Sequence, residues 1–475
     1  MSPKEHVPKE NRPRCGIVYS DSMKESNESK YLAQYLCGQL VNTGYANVYM
    51  VGLTPDGVPS SVQSGSTKRI SYMPCYCSSR KKIDVPESDV IHSHFDVIGK
   101  CHVVIITVNS QDVKMCKAKL LTVLDEKRQN KDSSVTIFVM SRGVKNSMDI
   151  KSVFSGRKDI AVIDAAVGFA VVPHPKTGVL VPTVQCPIMI FERLEKAQEA
   201  IALGPCNLME CMNLEVYYRK VLTPYTWGVL LWENVHCVNM LTGGTIYDTL
   251  WDKKARLILA SMIRESLLAL KSAACGGRWA PEMPTITQWI SPYRFELWLC
   301  MPDWIFIAMI TLFGMCPPPE LQSPMLVDNL EGRTTVNTTQ LGELVSTGKR
   351  YNVQMPVCSE VFKIIEAMDA QSGPRKSKAE YLDLVATNVA TNATAYMRAQ
   401  EAKNESSTAA SKEMAFQNSL AVEVGKKSQR ELRSRLFRYG IYCMLVLILY
   451  ILFVYEHERE EALEQEPHHL DQEIM

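Results

Sequence analysis

The chain has 475 residues, of which 46% are hydrophobic and 22% are charged, and its formal net charge is +1. This length and composition allow two or three domains with hydrophobic cores. The near-neutral charge, with no basic patch interleaved with aromatic residues, argues against nucleic acid as a partner. The 15 cysteines follow no repeating spacing, and Cys75 and Cys77 lack a second pair at zinc-binding distance. We therefore predict reduced thiols and no metal site.

The first part of the chain has the pattern of an α/β domain. Residues 1–15 are polar and contain several prolines, which predicts a disordered arm. Apolar runs that are typical of buried parallel strands then occur at 15–20, 46–53, 102–108, 134–140 and 159–172. Helical patterns separate several of these runs, for example at 31–41. We predict a Rossmann-like, doubly wound domain over residues 16–190.

Helical periodicity dominates after Pro187 and predicts an all-helical domain over residues 191–370, with an insertion at 276–319. The apolar stretch that begins at Trp304 is 13 residues long, which is too short to span a bilayer. It predicts a buried helix or a membrane-facing contact. The aromatic residues of the insertion are Trp279, Trp289, Tyr293, Phe295, Trp298 and Trp304. They indicate either a partner-binding surface, or packing onto the helical domain or at a membrane interface.

The C-terminal part has the pattern of a membrane anchor. Residues 371–438 are rich in Ala, Ser, Asn and Lys and predict a solvated linker. An uncharged apolar run of 17 residues then begins at Tyr439 and ends at Tyr455. As a helix it would span about 25 Å, near the lower limit for a transmembrane helix. The alternatives are a buried core helix and an amphipathic surface helix, but the run has no polar face.

The charges on either side of this run predict its orientation. Lysines and arginines precede it, whereas the tail at residues 456–475 is acidic. The positive-inside rule then leaves the large N-terminal part in the cytosol, as in a tail-anchored protein. The short span with its basic flank favours the mitochondrial outer membrane, and the endoplasmic reticulum is the alternative.

Three segments resemble the ketopantoate reductases. Residues 322–365 are similar to the C-terminal motif of that family, in which Ser-Ser-Met-x-x-Asp leads into Gly-Arg-x-Thr-Glu, a glycine and a late proline. The residues in register are Ser323, Met325, Asp328, Gly332, Arg333, Thr335, Gly342 and Pro356. Residues 230–244 resemble the family's Trp-x-Lys helix, and residues 102–112 and 135–144 resemble strands that end in Lys and in Asn-Gly.

The resemblance covers residues 16–370. It implies a Rossmann domain followed by a helical domain, and reduction of a 2-keto acid with NADPH as the cofactor. In the family a glycine-rich phosphate-binding loop follows the first strand, but residues 20–26 of this chain contain no glycine. Asp21 and Glu25 would repel phosphate there, although an extended loop would still offer Ser20 and Lys24.

The family's catalytic and substrate-binding groups are also replaced. The catalytic lysine lies two positions after the motif tryptophan, and from Trp232 that position is Asn234. An amide cannot deliver a proton as a general acid. Pro324 and Val336 stand where the family has a serine and a glutamate that hold the substrate. We therefore predict no catalytic residue in this chain.

Seven positions remain as candidate cleft residues through the resemblance. They are Ser20, Asn109, Arg142, Gly143, Asn234, Asn239 and Ser323. We predict a catalytically impaired, tail-anchored protein that acts as a binding or scaffold module on an organelle membrane, with a protein partner. One alternative is an active NADPH-dependent reductase of ketopantoate or a related 2-keto acid. Another is a membrane tether in which the folded part is only a spacer.

Overall fold

The structure is a computed structural model. It describes residues 10, 12–22, 24–54, 70–74, 82–128, 134–140, 142–154, 156–184, 187–194, 196–274, 280–282, 291–312, 317–336, 340–370, 380–385 and 387. Within these ranges no helix is both long and apolar enough to cross a membrane. The predicted anchor, the acidic tail and most of the predicted linker lie outside the described residues.

Strands and helices both occur from the N-terminal part to Arg219. They are β1 (Arg14–Ser20), α1 (Glu28–Thr43), β2 (Asn47–Leu53), β3 (Ile70–Tyr72), β4 (Ile83–Val85), β5 (Ile91–His92), β6 (Val103–Ile106), α2 (Val113–Arg128), β7 (Val135–Val139), α3 (Val144–Phe154), β8 (Ile160–Val167), β9 (Val171–Pro173), β10 (Leu180–Pro182), β11 (Ile188–Glu192), α4 (Lys196–Glu210) and β12 (Glu215–Arg219).

Helices alone follow in the described part of the chain after Arg219. They are α5 (Thr223–Thr242), α6 (Ile246–Trp251), α7 (Lys253–Ala273), α8 (Pro292–Leu299), α9 (Asp303–Leu312), α10 (Pro324–Leu330), α11 (Leu341–Arg350) and α12 (Pro356–Ala370).

The main sheet has eight strands in the order β12-β11-β8-β7-β6-β1-β2-β5. Neighbouring strands are parallel except β8 and β11, which pair antiparallel. Every residue of β6 and β7 is buried, as expected for strands covered on both faces. A second sheet has the order β4-β3-β10-β9. The prediction of a Rossmann-like α/β domain together with helical structure is therefore confirmed.

Two predicted boundaries differ from the observed elements. Strand β1 begins at Arg14, inside the predicted arm 1–15, because Arg14 pairs with Asn47 of β2. The predicted domain boundary at residue 190 divides β11, and the sheet continues through β12 to Arg219. Strand β12 is only part-buried at the edge of the sheet, so it lacks the continuous apolar run that marks the central strands.

The strand order creates a crevice at the centre of the main sheet. The chain leaves β1 through α1 to β2 on one side, and β6 lies on the other side of β1. The connections that follow β1 and β6 therefore diverge to opposite sides. In open α/β sheets, ligands bind in the crevice at such a switch point.

Helix α5 is the centre of the helical part. Its residues from Gly228 to Thr242 are all buried. The helix contacts α7, α10, α11 and α12, and it also contacts α3 and β8 of the α/β part. A helix that is covered on all sides needs no polar face, which explains why apolar residues predominate around its whole circumference.

The insertion aromatics divide between core and surface. Phe295 and Trp298 are buried, and the Phe295 ring lies 5.6 Å from the ring of Trp232. Trp304 and Tyr293 are exposed, with 61% and 48% of their surface accessible. Trp279 and Trp289 lie outside the described residues. Packing onto the helical part therefore accounts for two of the six aromatics.

Arg256 joins four segments of the helical part and carries a prediction. It is fully buried, and Nη1 donates to the carbonyl oxygens of Leu250 (3.0 Å) and Trp251 (3.3 Å). Its Nε donates to the Leu299 carbonyl at 3.4 Å, and Nη2 pairs with Asp303. We expect Arg256→Met to lower the free energy of unfolding by about 2 to 4 kcal/mol, because buried carbonyls lose their donors.

Urea unfolding measures this loss, and Arg264→Met on the same helix is the matched control. The Arg264 side chain is 63% exposed in its pair with Glu296, so its replacement should cost less than about 1 kcal/mol. Equal losses in the two variants would contradict the assigned role of Arg256.

Candidate functional site

Ser20 and Asn109 meet at the crevice between the ends of β1 and β6. The Asn109 backbone N–H donates to Ser20 Oγ at 2.8 Å, and the Ser20 N–H donates to Ser29 Oγ at 2.9 Å. Asn109 Nδ2 donates to the Ser26 carbonyl oxygen at 3.0 Å. These bonds hold the loop after β1 against the end of β6. The two predicted residues are thus neighbours, and their polar groups bind the protein's own backbone and side chains.

Carboxylates are concentrated where a glycine-rich phosphate-binding loop would lie. Asp21 is buried and pairs with Lys30 at 3.0 Å. Burial raises the pKa of Glu25 above its ordinary value, and the nearby charge of Asp112 raises it further. Burial also raises the pKa of Asp112, while a hydrogen bond from Ser20 opposes that shift. An incoming phosphate would therefore meet acidic groups that are already poorly solvated.

The N-terminus of α1 already binds a carboxyl group of this chain. Asp328 of α10 is buried, and its Oδ2 accepts from Ser26 Oγ at 2.5 Å while Oδ1 accepts from the Asn27 N–H at 3.0 Å. Burial raises the pKa of Asp328 to about 7, and the bonds from Ser26 and Asn27 partly oppose this shift. In dinucleotide-binding folds this helix end receives the pyrophosphate. Here it receives a carboxylate of the same chain.

Arg142 is the centre of an ion cluster between the α/β and helical parts. Its Nε lies 2.7 Å from Glu28 Oε1, and its Nη1 contacts Glu233 of α5. Its Nη2 donates to the Phe169 carbonyl oxygen at 2.7 Å. Burial lowers the pKa of Arg142 and raises the pKa of Glu28, and the attraction between the two charges opposes both shifts. The guanidinium therefore pairs with two carboxylates and one carbonyl oxygen of this chain.

Gly143 follows Arg142 with φ +95° and leads directly into α3. This backbone conformation is strained for residues with a side chain. The turn explains a glycine at this position without a ligand that approaches the backbone.

The cavity that remains in the crevice is small. Its volume is about 20 Å³, which is room for about one water molecule. Glu28, Thr107, Asn109, Arg142 and Val336 are among the residues that line it. Val336, which replaces the family's substrate-binding glutamate, presents an apolar side chain to this space.

Asn234 and His236 lie buried on α5. Neither the amide oxygen nor the amide nitrogen of Asn234 has a hydrogen-bond partner among the described residues. Burial lowers the pKa of His236 to about 3, and the positive charge of Arg142 contributes to the shift. His236 is therefore a neutral imidazole at physiological pH and holds no proton for transfer.

Asn239 and Ser323 form a structural link between α5 and α10. The Ser323 N–H donates to Asn239 Oδ1 at 3.0 Å, and Asn239 Nδ2 donates to Thr249 Oγ1 (2.9 Å) and to the Gly244 carbonyl (3.1 Å). Ser323 Oγ accepts from the Leu326 N–H at 3.2 Å and so caps α10. This pair lies together, as Ser20 and Asn109 do, but its polar groups are satisfied within the helical part.

Sequence reasoning missed Glu28 and Glu233 and did not assign Asp328 a contact. One signal was present, because Glu233 is a carboxylate within a mainly apolar helix and such a charge needs a buried partner. Among the described residues, no group of three or more His, Cys, Asp or Glu side chains is placed to hold a metal ion.

Comparison of the sequence with protein-family models and with curated proteins gives no match. Solved structures do match. A PanE/ApbA family ketopantoate reductase from Ralstonia eutropha JMP134 is 13% identical with a TM-score of 0.50, and the alignment covers 74% of this chain and 98% of that one. A 2-dehydropantoate 2-reductase from Geobacter metallireducens GS-15 is 14% identical with a TM-score of 0.51, covering 74% and 99%. At these identities the likeness concerns architecture, and the chain has the ketopantoate reductase fold.

Proposed function

We propose that this chain is a ketopantoate-reductase-fold protein without reductase activity, which acts as a binding or scaffold module on an organelle membrane. The observation that carries the proposal is the crevice at the ends of β1 and β6. Its two anion-binding groups, the N-terminus of α1 and Arg142, are occupied by Asp328, Glu28 and Glu233 of the same chain.

The space and the charge of the crevice both support this proposal. Pockets that hold small molecules have volumes of about 300 Å³ or more, whereas the cavity here is about 20 Å³. A nicotinamide dinucleotide also brings phosphates, and these would have to displace Asp328 among further carboxylates. The chain therefore uses its crevice to join its α/β and helical parts.

The residues near the crevice also lack an effective proton donor for keto-acid reduction. Asn234 stands at the position of the family's catalytic lysine, and an amide does not titrate. His236 is neutral because of its lowered pKa. A keto acid would gain no efficient proton donor from these two groups.

Membrane attachment is the second element of the proposal. The apolar run from Tyr439 to Tyr455, with basic residues before it and acidic residues after it, would hold the folded part on the cytosolic face. We favour the mitochondrial outer membrane over the endoplasmic reticulum. A protein partner would then bind the exposed surface of the folded part.

An active NADPH-dependent reductase of ketopantoate or a related 2-keto acid is the second candidate function. The fold favours it, because the similar structures are reductases. The unpartnered amide of Asn234 would polarise a substrate carbonyl in such an enzyme. This function requires the Arg142–Glu233 and Asp328–Asn27 contacts to break so that the cofactor can enter.

Calorimetric titration of NADPH and NADH into the purified full-length chain tests the proposal. We expect no saturable binding, with a dissociation constant above about 1 mM, because the ligand must replace internal ion pairs. One of the two similar bacterial reductases serves as the positive control. Micromolar binding, followed by NADPH oxidation when ketopantoate is added, would overturn the proposal in favour of the reductase.

A further inference from the structure

The contact between Asp328 and the start of α1 joins two parts of the fold that are distant in sequence. The carboxylate is 1% exposed and binds Ser26 and Asn27 through its two oxygens. Beside it, the backbone N–H and Oγ1 of Thr334 donate to the Lys24 carbonyl oxygen at 3.0 and 3.2 Å. The segments 24–27 and 328–334 are therefore fastened to each other across the crevice.

The charged and titratable groups around Asp328 come from both sides. Glu28 and Tyr31 lie near it on α1, and Arg333 lies near it on its own side, where Glu331 interacts with Tyr31 and Arg333. Arg333 Nη1 lies 4.0 Å from Asp328 Oδ1 and makes a closer contact with Glu331. Arg333 is thus a distant partner for Asp328 and is shared with Glu331, while the Glu28 carboxylate raises the pKa of Asp328 and the Arg333 charge lowers it.

This environment favours the neutral carboxyl group. A protonated Asp328 keeps both contacts, because the Ser26 hydroxyl accepts as well as donates. The ionised form carries a poorly compensated charge into a buried place. Burial raises the pKa of Asp328 to about 7, whereas an aspartate in water has a pKa of about 3.9.

The direction of the pH effect follows from this difference. When the contact is formed, Asp328 still holds its proton at pH values where a solvated Asp328 has already lost it. Stability of the contact is therefore highest at acidic pH and is lost as the pH rises through about 7. This direction is opposite to that of a carboxylate held by a salt bridge.

We propose that Asp328, Ser26 and Asn27 form a pH-sensitive latch between α10 and the N-terminus of α1, which is closed when Asp328 is protonated and loosened when it is ionised. The latch is a property of the fold. It does not depend on whether the crevice has an activity.

Hydrogen–deuterium exchange of the full chain tests the latch. Protection factors, corrected for the intrinsic pH dependence of exchange, are measured for the amides of residues 24–28 and 328–334. We expect protection at these amides to fall about tenfold between about pH 6 and about pH 8. In Asp328→Asn the amide imitates the protonated carboxyl group, so protection should be high and independent of pH.

Two further variants make the result specific. Asp125→Asn makes the same chemical change at a surface carboxylate, which is 60% exposed, and should keep the pH dependence of the wild type. Ser26→Ala removes one latch bond and should lower protection at both pH values while the dependence remains. Constant or increasing protection with rising pH in the wild type would overturn the latch. An undiminished pH dependence in Asp328→Asn would overturn it as well.

Discussion

Arg142→Met is expected to lower the free energy of unfolding by about 3 to 5 kcal/mol, because it leaves buried carboxylates without their counter-charge. The side chains of Glu28 and Glu233 are 4% and 1% exposed, so water cannot replace the guanidinium. The Phe169 carbonyl also loses its donor. Urea denaturation followed by circular dichroism measures the change.

Neutralising the partners should reverse most of this loss. We expect the triple variant Glu28→Gln, Arg142→Met, Glu233→Gln to be more stable than Arg142→Met alone, since no unpaired charge remains. Arg157→Met is the control for loss of an arginine whose partners, Asp125 and Asp159, are 60% and 40% exposed and can be solvated by water, and it should cost less than Arg142→Met. A triple variant no more stable than the single one would refute the ion-cluster explanation.

Truncation after Arg438 is expected to move the protein from the membrane fraction to the soluble fraction almost completely. The truncation removes the apolar run from Tyr439 to Tyr455, whose transfer into a bilayer is the driving force in the proposed attachment. Carbonate extraction and sedimentation of cell membranes, with fluorescence microscopy of a tagged chain, measure the distribution.

Truncation after Tyr455 is the matched control, because it removes only the acidic tail. That variant should stay in the membrane fraction. If the chain that ends at Arg438 also stays there, attachment must come from the folded part, and the exposed Trp304 and Tyr293 would be the first residues to replace.

The central strands were predictable because burial on both faces leaves a plain sequence pattern. Strands β6 and β7 consist of buried apolar residues, and both coincide with predicted runs. Strands β3, β4 and β10 have three residues each, which is too short for periodicity to identify. The predicted run 159–172 is divided in the structure into β8 and the start of β9. Strand β12 was read as helical because its tyrosines precede α5 without a break in composition.

The candidate site was predictable only in part. The adjacency of Ser20 and Asn109 follows from parallel strand ends that meet at one edge of the sheet. The contact between Asp328 and Ser26 joins residues 302 positions apart. Such a pairing depends on how α10 packs against α1, which no local pattern encodes. The same holds for Arg142 and Glu233, because one residue of the pair follows a strand and the other lies within a helix.

The contacts of Asp328 and Arg142 also bear on how this protein behaves in a cell. Enzymes that bind a soluble cofactor gain stability with the logarithm of its concentration once this exceeds the Kd, since ligand binding favours the folded state. In this chain, side chains of the protein itself occupy the crevice in place of such a ligand. Because they belong to the same chain, their effective concentration at the site is constant. Its resistance to unfolding and degradation would then be insensitive to the supply of pyridine nucleotides.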